Sequence, residues 1–248
     1  MTESRPTAAP EPARPPARSR EERPDAPRDG ADRSRWRVGW YRVVQGVSTT
    51  ILAATCGIRA TGRGQIPGRG PVLLVSNHLS HLDVLVLGIL LGRPLNYVAR
   101  ASLFFWPLGG IIRSLGAFPI NRDGMGAEGF KETLRRTRAG GVVTLFPEGT
   151  RTEDGDLAEL KTGIARLVAR TKAPVVPAAI AGTFEAWPKH RRLPGIHPLR
   201  VHFGTPITIE QVADLDPDAL TALIRERILE CQQVARAGIR ADLDLPFG

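Results

Sequence analysis

Short apolar runs punctuate this chain at 72–75, 96–99, 117–120, 142–146, 175–180 and 201–203, and each reads as a strand. Between them, 83–91, 128–138 and 161–170 carry apolar residues at helical spacing. That alternation constrains the fold more than any other feature. It predicts a layered α/β domain, a mixed and mostly parallel sheet flanked by helices. A last helix begins at Asp216-Pro217, an N-cap followed by proline at the first helical position, and Leu220, Leu223, Ile224 and Leu229 form its apolar stripe. The stretch 103–115 is apolar without a clear period, and no internal repeat is visible.

The most informative junction is Asn77-His78-Leu79-Ser80-His81-Leu82-Asp83, between the first of these strands and its helix. Titratable residues stand where a strand hands over to a helix, the usual ligand position in open α/β sheets. A histidine there can act as a general base near neutral pH. His78 and Asp83 are five positions apart, which on one continuous helix would point them about 140° away from each other. They meet only if His78 lies in the turn and Asp83 in the first helical turn. A second reading stays open. Ser80-x-x-Asp83 has the pattern of a capping box, so Asp83 could serve the helix alone.

The flanks differ from this alternating core. Residues 1–34 are rich in Pro, Ala, Arg, Asp and Glu, with no large aliphatic residue after Met1. Such a tail buries too little surface to offset its ordering entropy and is expected to be disordered. Across 35–61, Trp36, Trp40, Val43, Val44, Val47, Ile51, Ala54 and Ile58 recur at helical spacing, beside Arg35, Arg37, Arg42 and Tyr41. Basic residues and tryptophans beside an apolar face suit a helix lying at a membrane surface, and equally a helix packed on its own domain. No run is long and apolar enough for a confident membrane span, and the first 35 residues lack the apolar segment of a signal peptide. Two cysteines, Cys56 and Cys231, make no disulfide framework or metal-ligand spacing, which suits a reducing, cytosolic setting.

Three further strand ends carry charge. Arg100 follows the 96–99 strand, Arg122 the 117–120 strand, and Glu148-Gly149-Thr150-Arg151 the 142–146 strand. In a mostly parallel sheet these ends share one edge with His78 and Asp83. Guanidinium groups grip phosphate through two parallel donors, and the net charge of +9 also favours an anionic partner. The expected site therefore removes a proton from a phosphate-bearing substrate. Neither a P-loop nor a dinucleotide fingerprint nor a G-x-S-x-G elbow is present, so the base should act on the substrate itself.

Four segments resemble the glycerolipid acyltransferases, the lysophosphatidic acid acyltransferase (PlsC-type) group. Asn77-His78-x-Ser80-x-x-Asp83 looks like that family's N-H-x-S-x-x-D motif. Residues 116–122, Phe146-Pro147-Glu148-Gly149-Thr150-Arg151 and Val176-Pro177-Ala178-Ala179-Ile180 are similar to its next three motifs, in order and spacing. The resemblance covers roughly 36–210 and departs at Arg100, where the family usually has lysine, and at Thr152, where serine is common. It implies a glycerol-3-phosphate acyltransferase-like domain over 62–240. His78 would be the general base, with Asp83 orienting its imidazole. Arg100, Arg122, Glu148, Gly149, Thr150 and Arg151 would be the substrate-binding residues, with Glu148 orienting the acceptor or the loop, and Val176-Pro177 would line the acyl or acceptor side. Lys161 has two readings, a phosphate ligand or a solvated charge at a helix start. The implied reaction moves a fatty acyl group from acyl-CoA or an acyl carrier protein thioester to 1-acyl-glycerol 3-phosphate, giving phosphatidic acid. It requires no metal, no other cofactor and no covalent enzyme intermediate. The implied setting is the cytoplasmic face of the cell membrane, peripheral or monotopic, with a lipid surface and a lysophospholipid acceptor as partners.

Other acceptors are glycerol 3-phosphate or another lysophospholipid. Two distant readings compete. A metal-dependent hydrolase could use His78, His81 and Asp83 as ligands, although His190, His197 and His202 add no matching pattern. The basic charge could serve a nucleic-acid or anionic-surface binding module, but no nucleic-acid-binding signature is present and nucleic acid is not expected.

Overall fold

The computed structural model describes residues 35–100, 108–120, 126–191 and 193–244. The tail 1–34 and Arg122 lie outside the described residues, as do 103–107 of the 103–115 stretch. Among the described residues seven strands form one sheet: β1 (Arg59–Thr61), β2 (Val72–Ser76), β3 (Leu95–Arg100), β4 (Ala117–Ile120), β5 (Val142–Leu145), β6 (Val175–Ala181) and β7 (Arg200–Phe203). Their order across the sheet is β1-β7-β6-β2-β5-β3-β4. All neighbours pair in parallel except β6 and β7. The expected mixed, mostly parallel sheet is what the chain forms. β2 and β6 are buried along their whole length, the condition that produces near-continuous apolar runs in parallel sheets.

Helices cover both faces. α1 (Arg35–Cys56) and α2 (Leu82–Leu90) pack on one, with Tyr41, Leu52, Val86, Leu87 and Leu90 meeting Leu74, Val176 and Ile180. On the other, α5 (Gly163–Thr171) and α8 (Pro217–Leu243) bury Leu167, Val168, Leu220, Ile224 and Ile228 against Leu73, Val143 and Val175. Burying each such aliphatic side chain contributes roughly 1.5–3 kcal/mol. Asp216 caps α8, its Oδ1 accepting the N–H groups of Asp218 at 2.9 Å and Ala219 at 2.8 Å, an arrangement worth about 1 kcal/mol. α4 (Gly126–Arg138) sits beside α5, and α3 (Leu108–Ser114), α6 (Thr183–Ala186) and α7 (Ile209–Ala213) are short.

α1 docks on the end of α2 through polar side chains. Gln45 Nε2 donates to the carbonyls of Gly88 (2.9 Å), Ile89 (3.3 Å) and Leu91 (2.7 Å), and Arg42 donates to Gly92 O at 2.7 Å. These bonds satisfy carbonyls that a helix C-terminus leaves without intrahelical partners. The same helix turns Trp36, Val43, Val47 and Ile51 outward, each more than half exposed. The reading of 35–61 as one helix is corrected: α1 ends at Cys56, and 59–61 form β1. One side of α1 packs on the domain and its apolar stripe faces away. No helix among the described residues is long and apolar enough to cross a membrane.

Candidate active site

The C-terminal ends of β2, β5 and β6 lie together at one edge of the sheet, because the three strands run parallel side by side. The chain leaving β2 turns through Asn77–His81 before α2 begins at Leu82, which puts His78 in the turn and Asp83 in the first helical turn. His78 Nδ1 lies 2.9 Å from Asp83 Oδ2. A carboxylate only accepts, so Nδ1 carries the ring proton and the lone pair of Nε2 is the basic site. Asp83 is fully buried. Its Oδ2 also accepts the N–H groups of Leu79 (2.6 Å) and Ser80 (2.8 Å), and its Oδ1 accepts the Thr183 hydroxyl at 2.7 Å. The capping-box reading and the orienting reading therefore describe one side chain, which serves the helix N-terminus and the imidazole together. Here the cap is incomplete: Ser80 Oγ accepts from Leu82 N (3.2 Å) and donates to Trp187 O (2.8 Å).

The β5 loop supports the histidine from the other side. The His78 ring stacks on Phe146, with centroids 4.0 Å apart and planes 16° from parallel. Glu148 Oε1 accepts the His78 N–H at 2.7 Å, Oε2 accepts the Ala158 N–H at 2.9 Å, and Thr152 N–H donates to His78 O at 2.8 Å. Burial pushes the Glu148 carboxyl above the usual carboxylate range, while the N–H groups of Ala158 and His78 pull it down. Gly149 adopts φ +75°, and the Lys161 stem passes 3.3 Å from where a Cβ would stand. Any other residue here would meet both backbone strain and crowding.

A cavity of about 1040 Å³ opens beside the pair. His78, Gly149, Thr150, Arg151, Lys161 and Arg166 supply its polar wall, and residues such as Val84, Leu85, Ile89, Leu95, Val98 and Leu115 supply an apolar one. The lining thus combines an imidazole, cationic side chains and aliphatic side chains, dimensions and chemistry that suit a lipid with a charged headgroup.

Residues 57–181 match the family model described as Acyltransferase. The chain belongs to this family. It is 29% identical over 145 residues to the 1-acyl-sn-glycerol-3-phosphate acyltransferase of Bacillus subtilis, covering 57% of this chain and 71% of that one. It is 31% identical over 161 residues to the lyso-ornithine lipid O-acyltransferase of Rhizobium meliloti, covering 64% and 50% respectively. The fold is similar to the crystal structure of PlsC, the 1-acyl-sn-glycerophosphate acyltransferase of Thermotoga maritima, with a TM-score of 0.69 at 20% identity over 86% of this chain and 83% of that one.

Within this acyltransferase the anticipated residues are placed in different ways. His78, Gly149, Thr150 and Arg151 line the cavity, and Asp83 backs His78. Glu148 is 2% exposed, and both its oxygens point at backbone N–H groups, so it holds the loop and the histidine backbone. Arg100 ends β3 on the same edge. Val176 and Pro177 are corrected: both are buried in the central strand β6, Val176 within the core between sheet and helices, and neither lines the cavity. Thr183, Asn77 and Phe146 were not singled out as functional side chains. Asn77 joins the turn to β6, donating to Ile180 O at 3.0 Å and accepting Ile180 N–H at 2.8 Å. Cys231 is buried, and that burial pushes its thiol up to about 12.

Proposed function

We propose that this acyltransferase moves a fatty acyl group from an acyl thioester to the free hydroxyl of 1-acyl-glycerol 3-phosphate, with His78 as general base and Asp83 as its orienting carboxylate. The observation that carries the reading is the His78–Asp83 pair at 2.9 Å, beside a cavity lined by both cationic and aliphatic side chains. Nε2 takes the hydroxyl proton as the oxygen attacks the thioester carbonyl. The tetrahedral intermediate collapses, the carbon–sulfur bond breaks, and the leaving thiolate takes the proton back from the imidazolium. The buried Asp83 stabilises the imidazolium in between. Arg151 receives the acceptor phosphate, a role Arg100 and Arg122 would share, and the aliphatic side chains of the cavity receive an acyl chain.

A second acceptor class is favoured by the Rhizobium relative, named for a lyso-ornithine lipid. An ornithine headgroup has a carboxylate and no phosphate, so the cationic wall weighs toward the phosphate-bearing acceptor. A panel of lyso-acceptors offered with one radiolabelled acyl thioester tests this. Lysophosphatidate should be consumed fastest, and transfer confined to acceptors without phosphate would reject the assignment. Arg151→Ala should raise the acceptor KM about tenfold or more, as loss of a charge-assisted contact implies, with donor KM unchanged. A change in donor KM alone would move Arg151 to the other substrate. Among metal ligands, by contrast, Asp83 is a poor candidate because four protein donors already occupy its oxygens.

The outward stripe of α1 lies on an anionic bilayer in this reading, which keeps substrate and product within reach of the cavity. Val43 and Val47 are 58% and 56% exposed, so replacing both with Asp leaves the core untouched. The double substitution should lower association with phosphatidylglycerol vesicles about tenfold or more, given the apolar area withdrawn from lipid. Undiminished co-sedimentation would remove α1 from the membrane contact.

A further inference from the structure

The four donors to Asp83 are unevenly placed. Oδ2 accepts three of them, from His78 Nδ1, Leu79 N and Ser80 N, whereas among the described residues Oδ1 accepts the Thr183 hydroxyl alone. Asp83 and Thr183 are both fully buried and come from segments 100 residues apart. Thr183 opens α6, where its side chain bonds Asp83 instead of its own helix. The turn before it is set by Gly182, at φ +89°, where any Cβ would overlap the Pro198 carbonyl oxygen. The segment from Ile180 to Trp187 therefore grips the catalytic turn at three points: Ile180 on Asn77, Thr183 on Asp83 and Trp187 on Ser80.

We infer that Thr183 is a positioning residue for acyl transfer, acting through Asp83 on His78. Its hydroxyl fixes the rotation of the carboxylate, and hence the direction in which Nε2 points into the cavity. It also shares the negative charge. The working form of the pair, a neutral imidazole beside an ionised carboxylate, has a net negative charge in a buried place. A hydroxyl donor stabilises that form more than the protonated pair. Neighbouring titratable groups are Glu148 on the His78 N–H, His81 in the same turn, and Arg151, Lys161 and Arg166 on the cavity wall. Replacing Thr183 leaves all of them in place. The inference rests on acyl transfer by His78.

The test compares Thr183→Val, which keeps the shape and removes the donor, with Thr183→Ser, which keeps the donor, in the full-length chain. Thr183→Val should lower kcat about ten- to a hundredfold with both KM values unchanged, and shift the acid limb of kcat/KM to higher pH. Thr183→Ser should stay within about threefold of the parent and keep its pH profile. Should Thr183→Val not fold, Thr183→Cys, a weaker donor of similar size, replaces it in the comparison. A donor-deficient variant with parental kcat and acid limb would overturn the inference, as would equal losses in both variants or an effect on KM alone. His78→Ala separates the two levels. If that variant keeps acyl transfer the general-base reading fails, whereas a His78-dependent activity indifferent to Thr183 defeats this inference only.

Discussion

His78→Ala should lower acyl transfer by about 10³-fold or more, the scale of a lost general base together with its positioning of the hydroxyl. The loss should appear in kcat, because the cationic and aliphatic walls of the cavity remain to bind both substrates. Stability should fall only modestly. The side chain is 21% exposed, and what disappears is the stack on Phe146 and one of four donors to Asp83. A cost of about 1 kcal/mol would move the melting temperature by roughly 2–4 °C in a chain of this size. Initial rates with a radiolabelled thioester, beside a thermal melt, check both parts. Acyl transfer near the parental rate in His78→Ala would end the mechanism proposed above.

Asp83 should be the next most sensitive position, and two substitutions there separate charge from geometry. In Asp83→Asn the amide oxygen can keep the place of Oδ2, accepting from His78, Leu79 and Ser80. The amide nitrogen then donates to the Thr183 hydroxyl, which rotates to accept. The fold and the imidazole tautomer are retained, but the charge that stabilises the imidazolium is gone. We expect kcat to fall about a hundredfold or more. Asp83→Ala instead strands several buried donors and should cost roughly 3–5 kcal/mol of stability. Denaturant midpoints and single-turnover rates distinguish the two variants. If Asp83→Asn reacts at the parental rate, the carboxylate acts as a helix cap and no more.

Much of this architecture was legible because it is written in local pattern. β2, β5 and β6 are buried on both faces and so read as unbroken apolar runs. The α8 start was visible as Asp216-Pro217, a cap that works through nearest neighbours. Elements without such signals were missed. β1 is a three-residue edge strand held by β7, with no buried face to impose a pattern. α7 is different: it begins with a complete capping box, Thr208 with Gln211, which is a local signal, but its five residues are too few to show a helical period. In α1 the helical spacing was plain, but which side packs was not. The side facing the domain is chosen by Tyr41 and Gln45, whose value depends on carbonyls at the far end of α2.

The active site divides along the same line. Sequence alone determined that a histidine and a carboxylate would stand at a strand–helix junction, and that charged strand ends would share an edge with them. Periodicity and parallel topology require nothing more distant than neighbouring elements. Tertiary structure decided what those groups do. Glu148, expected to orient the acceptor or the loop, binds the backbone of His78 and Ala158, Val176 and Pro177 are buried in β6, and Thr183 reached Asp83 from 100 residues away. The physical reason is burial. Once Asp83 and Glu148 are out of water, every lone pair needs a donor, and which donors arrive is settled only when β2, β5 and β6 lie side by side.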